Sequence, residues 1–191
     1  MKSLHLILLG LFAIGLNSQA QANDFEAALS SQTAQFTFRS DSSLIGWGGA
    51  DLGMGLFYNE ASDFAVQVEL IQSRPPSISS PLTLGVGVKA YAGRIDFSGE
   101  EIFAMGIGGE IKYTIAGTMP MAIYLRGYLA PEITSFAETE EVTDYVFGFQ
   151  IEVLPQTTAF IGVRHLEIDT ETFNDYPMDD DKVHLGVRLT F

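Results

Sequence analysis

Apolar and polar side chains alternate along most of this chain with a period of two. In VHLGVRLTF, Val183, Leu185, Val187, Leu189 and Phe191 share one face, and His184, Gly186, Arg188 and Thr190 share the other. Successive side chains of a strand point to opposite faces, so the pattern predicts a strand. The same split recurs in YVFGFQIEVL, IFAMGIGGEIKYTI, LTLGVGVKAYAG, MAIYLRGYL, FAVQVEL, ADLGMGLFYN and AFIGVRHLEI. Helical periodicity is absent after the first few residues beyond Phe25, and the expected fold class is all-β.

Strand length narrows the architecture. Counted back from Phe191, strands are expected near 182–191, 158–168, 144–154, 121–134, 102–115, 82–95, 64–72 and 47–58. Strands of globular proteins usually run about 5–6 residues, whereas a strand crossing a bilayer at a tilt needs about 9–11. Tight connections at 116–120 and 155–157 alternate with longer ones at 135–142 and 170–181, with 74–81 as an exception. That is the layout of a transmembrane antiparallel up-and-down β-barrel. The strand count is eight, which is even, as a bacterial single-chain barrel requires. The segment 23–45 holds two short apolar pieces. They are read as an N-terminal flap, or as an added hairpin that makes ten strands.

The start of the chain supplies a destination. Lys2 precedes an apolar run from Leu4 to Leu16, and small residues follow at Ala20 and Ala22. The run is shorter than the about 20 residues of a membrane helix. Residues 1–22 therefore read as a secretory signal peptide, which leaves 46–191 as the barrel after the N-terminal segment. The chain has no cysteine, and its net charge is −14. That charge argues against nucleic acid as a partner, because such affinity comes from Lys and Arg on phosphates.

Fold and function turn on which face is inside. The polar faces are rich in glycine (Gly53, Gly55, Gly85, Gly87, Gly106, Gly108, Gly148, Gly162, Gly186). Glycine weakens a water-facing strand, but small residues make room for large ones inside a narrow barrel. The large ones are Glu69, Lys89, Tyr91, Glu110, Lys112, Tyr124, Arg126, Tyr128, Glu152, Arg164 and Arg188. These are expected to form a paired network in the lumen, since buried charges must be paired. Arg39, Arg74, Arg94 and Lys182 fall outside that set. Apolar side chains would face lipid, with Tyr58, Phe64, Phe103, Tyr113 and Tyr145 towards the strand ends as interfacial girdles. A secreted soluble β-sandwich, with the faces reversed, is the alternative.

The segments FIGVRHLEID, DYPMDDD and KVHLGVRLTF, with LSSQTAQF and LGMGLFYN, resemble the YfaZ family of Gram-negative outer-membrane proteins. The resemblance spans nearly all of 23–191, and each segment alone is weakly specific. It implies an outer-membrane barrel, sometimes described as porin-like. It also implies that Val183, Leu185, Val187, Leu189 and Phe191 look like the strip by which the outer-membrane assembly machinery recognises its clients. Outer-membrane lipid and lipopolysaccharide are the other expected partners, and the barrel is expected to be a monomer.

Candidate chemistry is sparse. His165 shares a face with Glu167, which could orient its ring. This is the basis of the alternative function, a lipid- or lipopolysaccharide-modifying barrel enzyme. A hydrolase would also need a serine nucleophile, and no GxSxG pattern occurs. The acidic stretches around 59–63, 96–101, 138–144 and 169–181 offer oxygen ligands suited to Ca²⁺ or Mg²⁺, without EF-hand spacing. The default reading of these stretches is solvated extracellular loops. No catalytic residue, cofactor or metal site is assigned. An eight-strand interior is just wide enough for side chains to fill; ten strands would favour a narrow channel. The lumen cations outnumber the lumen carboxylates, which points to anion preference in any conductance.

Overall fold

The computed structural model describes residues 23–42, 48–75, 77 and 79–191. The expected signal peptide lies outside the described residues. Eleven strands make up the fold: β1 (Asp24–Leu29), β2 (Thr33–Asp41), β3 (Asp51–Asn59), β4 (Phe64–Arg74), β5 (Leu82–Arg94), β6 (Glu101–Ile115), β7 (Met121–Ala130), β8 (Ser135–Ala137), β9 (Thr139–Leu154), β10 (Thr157–Thr170) and β11 (Tyr176–Thr190). All pairings are antiparallel. The order β5-β4-β3-β2-β1-β11-β10-β9-β7-β6 closes on itself through β5–β6, and β8 lies outside, paired to β6 alone.

The barrel thus has ten strands, and the expectation of eight is corrected. The N-terminal hairpin is wall, not flap. Phe25 pairs with Leu189 on β11 and with Phe38 on β2, and Phe36 pairs with Leu56 on β3. β1 is short, but it is the strand that closes the circle. Closure pairs the backbone N–H and C=O groups that an open sheet edge would leave exposed. At one end of the barrel Asn23, just before β1, and Phe191, just after β11, exchange two backbone hydrogen bonds of 2.9 Å. We call this end the lower one.

The connections also depart from expectation. Much of what was read as long upper loops is strand. The stretch 135–142 is β8 and the start of β9, and only 171–175 separates β10 from β11. Pairing continues up to Thr170↔Thr139, because β9 and β10 keep their ladder well beyond the apolar band. The acidic stretches nevertheless sit at the upper end. There Asp63, fully buried, accepts hydrogen bonds from Asn59 (2.9 Å), the Tyr176 hydroxyl (2.7 Å) and the Asp96 N–H (2.8 Å). It ties three strand connections together.

The two faces are sorted as the alternation demands. Leu185 is 61% exposed, Phe147 55% and Ile107 67%, whereas Glu110 is 8% and Glu69 6%. Apolar side chains point outward around the wall and charged ones point in. Within the upper part of the barrel Phe57, Tyr91, Ile95, Ile102, Val142, Leu166, Ile168 and Met178 pack into an apolar layer. This layer caps the charged layer beneath it.

Candidate functional site

The charged layer is assembled by register. Large inward side chains stand opposite small partners on the next strand: Glu69 faces Gly53, Lys89 faces Gly106, Glu110 faces Gly85, Tyr128 faces Gly108 and Tyr124 faces Gly148. The glycine leaves the space that its partner fills, which lets a narrow barrel hold long side chains. This is the local reason for the glycine on the polar faces.

These side chains form a chain of contacts across the lumen. Arg188 donates from Nε and Nη2 to Glu26 Oε2 at 3.0 and 2.8 Å. Arg39 Nη1 donates to the same oxygen at 2.9 Å. Arg39 Nε lies 3.7 Å from Glu69 Oε2, which also accepts from Arg126 Nη1 at 3.3 Å. Arg126 then donates from Nε and Nη2 to Glu110 Oε2 at 3.1 and 2.5 Å. Lys112 Nζ stands 4.0 Å from Glu110 Oε1. The contacts run from β11 through β1, β2, β4 and β7 to β6, so they brace opposite walls. A second group is centred on Asp144, whose Oδ2 accepts from Lys89 Nζ at 2.6 Å and from the Tyr91 hydroxyl at 3.0 Å. Lys89 Nζ also sits 5.1 Å from the Tyr91 ring centre and 5.6 Å from that of Tyr128. Cations over aromatic faces gain about 0.5–2 kcal/mol.

Of the residues expected in the lumen, the structure brings Glu69, Lys89, Tyr91, Glu110, Lys112, Arg126 and Arg188 into these two groups. Tyr124, Tyr128 and Arg164 line the same interior. Glu152, near the lower end of β9, is half-buried and joins no ion pair among the described residues. Four titratable residues lining the cavity were missing from the expected set, Glu26, Arg39, Asp144 and His184, as were the polar Gln35, Thr37 and Gln67. Glu26 and Arg39 came in with the hairpin, whose short apolar pieces hid its place in the wall. Asp144 and His184 were within reach of the sequence, since each shares parity with a glycine-bearing inward face (Gly148 and Gly186).

A cavity of about 50 Å³ lies between the groups. At about 10–15 Å³ for each water, it holds only a few. With the apolar layer above it, the lumen in this conformation is not an open pore.

On the outside, β11 presents Val183, Leu185, Val187 and Leu189 as one exposed strip, with Phe191 beyond the strand end. His165 faces outward near the upper end. Its ring stacks on Tyr145 at 4.8 Å, with Asp181 Oδ1 3.3 Å from Nδ1 and Glu167 Oε2 3.5 Å from Nε2. Carboxylates that could orient the ring are thus present. Among the described residues no serine or threonine hydroxyl hydrogen-bonds to it. Nearby, carboxylate oxygens of Glu167, Asp169 and Asp175 lie within 4.8 Å of one another, and the Asp175 N–H donates to Asp169 at 2.6 Å.

No protein-family model matches the chain, and no curated protein matches it. Among the solved structures similar to this chain are two outer-membrane proteins. One is the outer-membrane channel DcaP of Acinetobacter baumannii, with 12% identity and a TM-score of 0.41 over 87% of this chain and 54% of that one. This chain therefore spans about half the length of DcaP. The other is the Acinetobacter baumannii outer-membrane protein Omp33, with 9% identity and a TM-score of 0.33 over 90% of this chain and 95% of that one. Superpositions this loose leave strand number, loop length and pore free to differ, so the activity of this barrel has to be read from its own interior.

Proposed function

We propose that this chain is a small outer-membrane β-barrel whose lumen is held shut by side chains, so that its role is structural, with at most limited passage of small solutes. The observation that carries this is the inversion of faces. The outer wall exposes Val86, Ile107, Ile111, Phe147, Leu185 and many others, while Glu26, Glu69, Glu110, Asp144 and Arg164 are buried inside. Water-soluble monomers rarely expose a contiguous apolar patch beyond about 300–600 Å². Here the apolar face runs round the whole barrel. The outward charged residues of the described strands lie at strand ends (Arg74, Arg94, Glu101) or in the upper extensions of β9, β10 and β11 (Glu141, Glu167, Asp169, Asp181), outside this band. Tyr58, Phe64, Phe103 and Tyr145 mark the upper rim of this band, and Phe25 and Tyr113 the lower rim, as interfacial girdles do.

The reading extends to a Gram-negative outer membrane, a monomeric state, and contact with lipid and lipopolysaccharide. It places the chain with the YfaZ-like barrels it resembles. The outward strip ending at Phe191 is the natural candidate for recognition by the assembly machinery. Refolding into detergent or lipid vesicles tests the proposal. The folded barrel should migrate differently on a gel before and after boiling, and it should require amphiphile to stay dispersed. A chain that folds cooperatively in plain buffer, with one gel mobility, would overturn it.

A further inference from the structure

One buried lumen cation has no carboxylate bonded to it. The cavity is lined by Arg39, Lys89, Arg126, Arg164 and Arg188 against Glu26, Glu69 and Asp144. Glu110, held by Arg126, adds a fourth carboxylate. With Lys112, which stands 4.0 Å from Glu110, five of the six lumen cations are committed to these acids. Arg164 is the exception. It is 92% buried by its 8% exposure, and among the described residues it makes no hydrogen bond and no ion pair. Its direct partners across the ladder are Val146 and Lys182, neither of which can accept a side-chain proton.

Beside it on the same inner wall stands His184, 3% exposed, whose Nδ1 has no hydrogen-bond partner. Asp144, the carboxylate diagonal to Arg164 on β9, is already taken by Lys89 and Tyr91. The nearest acid on β11, Asp179, lies above the ladder irregularity; Thr33 donates to its Oδ2 at 3.2 Å, its Oδ1 has no partner among the described residues, and it lies in the field of Arg164 without an ion pair to it. An unpaired guanidinium in a closed interior is costly, and proteins offset such a charge with a counter-ion, hydrogen bonds or both.

We propose that the lumen holds a small monovalent inorganic anion, chloride under physiological conditions, against the Arg164 guanidinium and the His184 ring. The fork of Arg164 N–H groups supplies charge-assisted donors. The cavity has room for a halide with a water or two, and not for an anion as large as gluconate. Glycine at 162, the direct partner of His184, is part of the fit: a Cβ there would lie 2.9 Å from the His184 ring and crowd it. The inference needs only the filled interior and stands apart from where the barrel resides.

The test uses the refolded full barrel in a nonionic detergent at constant ionic strength, with sodium chloride replaced stepwise by sodium gluconate. Because the ion binds only the folded state, the unfolding midpoint should keep rising with the logarithm of chloride concentration above its Kd. Bromide should reproduce the rise, and Arg164→Gln should abolish it, while Arg74→Gln, at a rim position, leaves it intact. Crystals grown in bromide should show one anomalous peak beside Arg164. That measurement decides the matter on the natural chain even if the Arg164 variant fails to fold. Equal midpoints in chloride and gluconate, a response that survives Arg164→Gln, or a bromide crystal with no peak inside the lumen would each overturn the proposal.

Discussion

Tyr124 lies across Gly148, its direct partner on β9: a Cβ placed on that glycine would stand 2.6 Å from the ring's Cζ and hydroxyl oxygen. Phe160 covers Gly186 in the same way further round the same inner wall, and there the Ala27 carbonyl oxygen would be 2.5 Å from an added Cβ. The ring can swing aside in the first case. In the second, the backbone of β1 has to move.

Gly186→Ala should therefore cost more than Gly148→Ala. Overpacking a filled interior typically costs about 1–3 kcal/mol, and Gly186→Ala is expected at the upper end of that range. Urea unfolding in detergent reads the difference. Equal stability for the two variants would mean that β1 yields freely at its seam with β11.

Glu26 is the hinge of the charge network: among the described residues it is the one carboxylate paired with Arg188, whose Nη1 also donates to Gln150 at 3.2 Å, and it binds Arg39 as well. Glu26→Gln should leave buried guanidinium groups undercompensated, and breaking a buried pair costs about 3–5 kcal/mol. Glu152→Gln, outside every described ion pair, is expected to stay within about 0.5 kcal/mol of the natural chain. The same denaturation series compares them. A similar loss for both would show that the lumen charges act as a diffuse field and not through their individual contacts.

The outer wall makes a prediction of opposite sense to that for a water-soluble fold. Ile107 is 67% exposed in the middle of β6. In water, Ile107→Arg would be close to neutral. Facing acyl chains near the midplane, it should cost about 2–4 kcal/mol. Reversible unfolding from lipid vesicles is the measurement, and an unchanged free energy there would place this face in water.

The apolar layer formed around Phe57, Leu166 and Met178 should act as the stopper. The natural barrel is expected to be nearly silent in planar bilayers. Leu166→Ala with Met178→Ala removes volume from the stopper without touching an ion pair, and discrete single-channel steps should follow. Folding of the double variant is verified beforehand by its heat-modifiable mobility, since each truncation costs about 2–5 kcal/mol. Persistent silence in a folded variant would show that the charged layer alone seals the lumen.

The wall itself was legible in the sequence. A period of two leaves no freedom in which side chains share a face, so the outward strip of Val183, Leu185, Val187 and Leu189 and the inward placing of Glu69, Glu110, Arg126 and Arg188 followed from spacing alone. Glycine on the polar face gave the direction, because only a crowded interior gains from residues without side chains. What spacing could not supply was the partner of each strand. β1 is six residues long, and its apolar pattern is too brief to declare a wall. It becomes one because closing the circle satisfies two strand edges at once, a gain that depends on residues more than 160 positions apart, such as Phe25 and Leu189. The same long-range closure brought Glu26 and Arg39 into the lumen, continued β9 and β10 through the acidic stretches, and left Arg164 facing a cavity without an acid of its own. Periodicity is local and fixes which way a side chain points; only the closed barrel decides which side chains meet there.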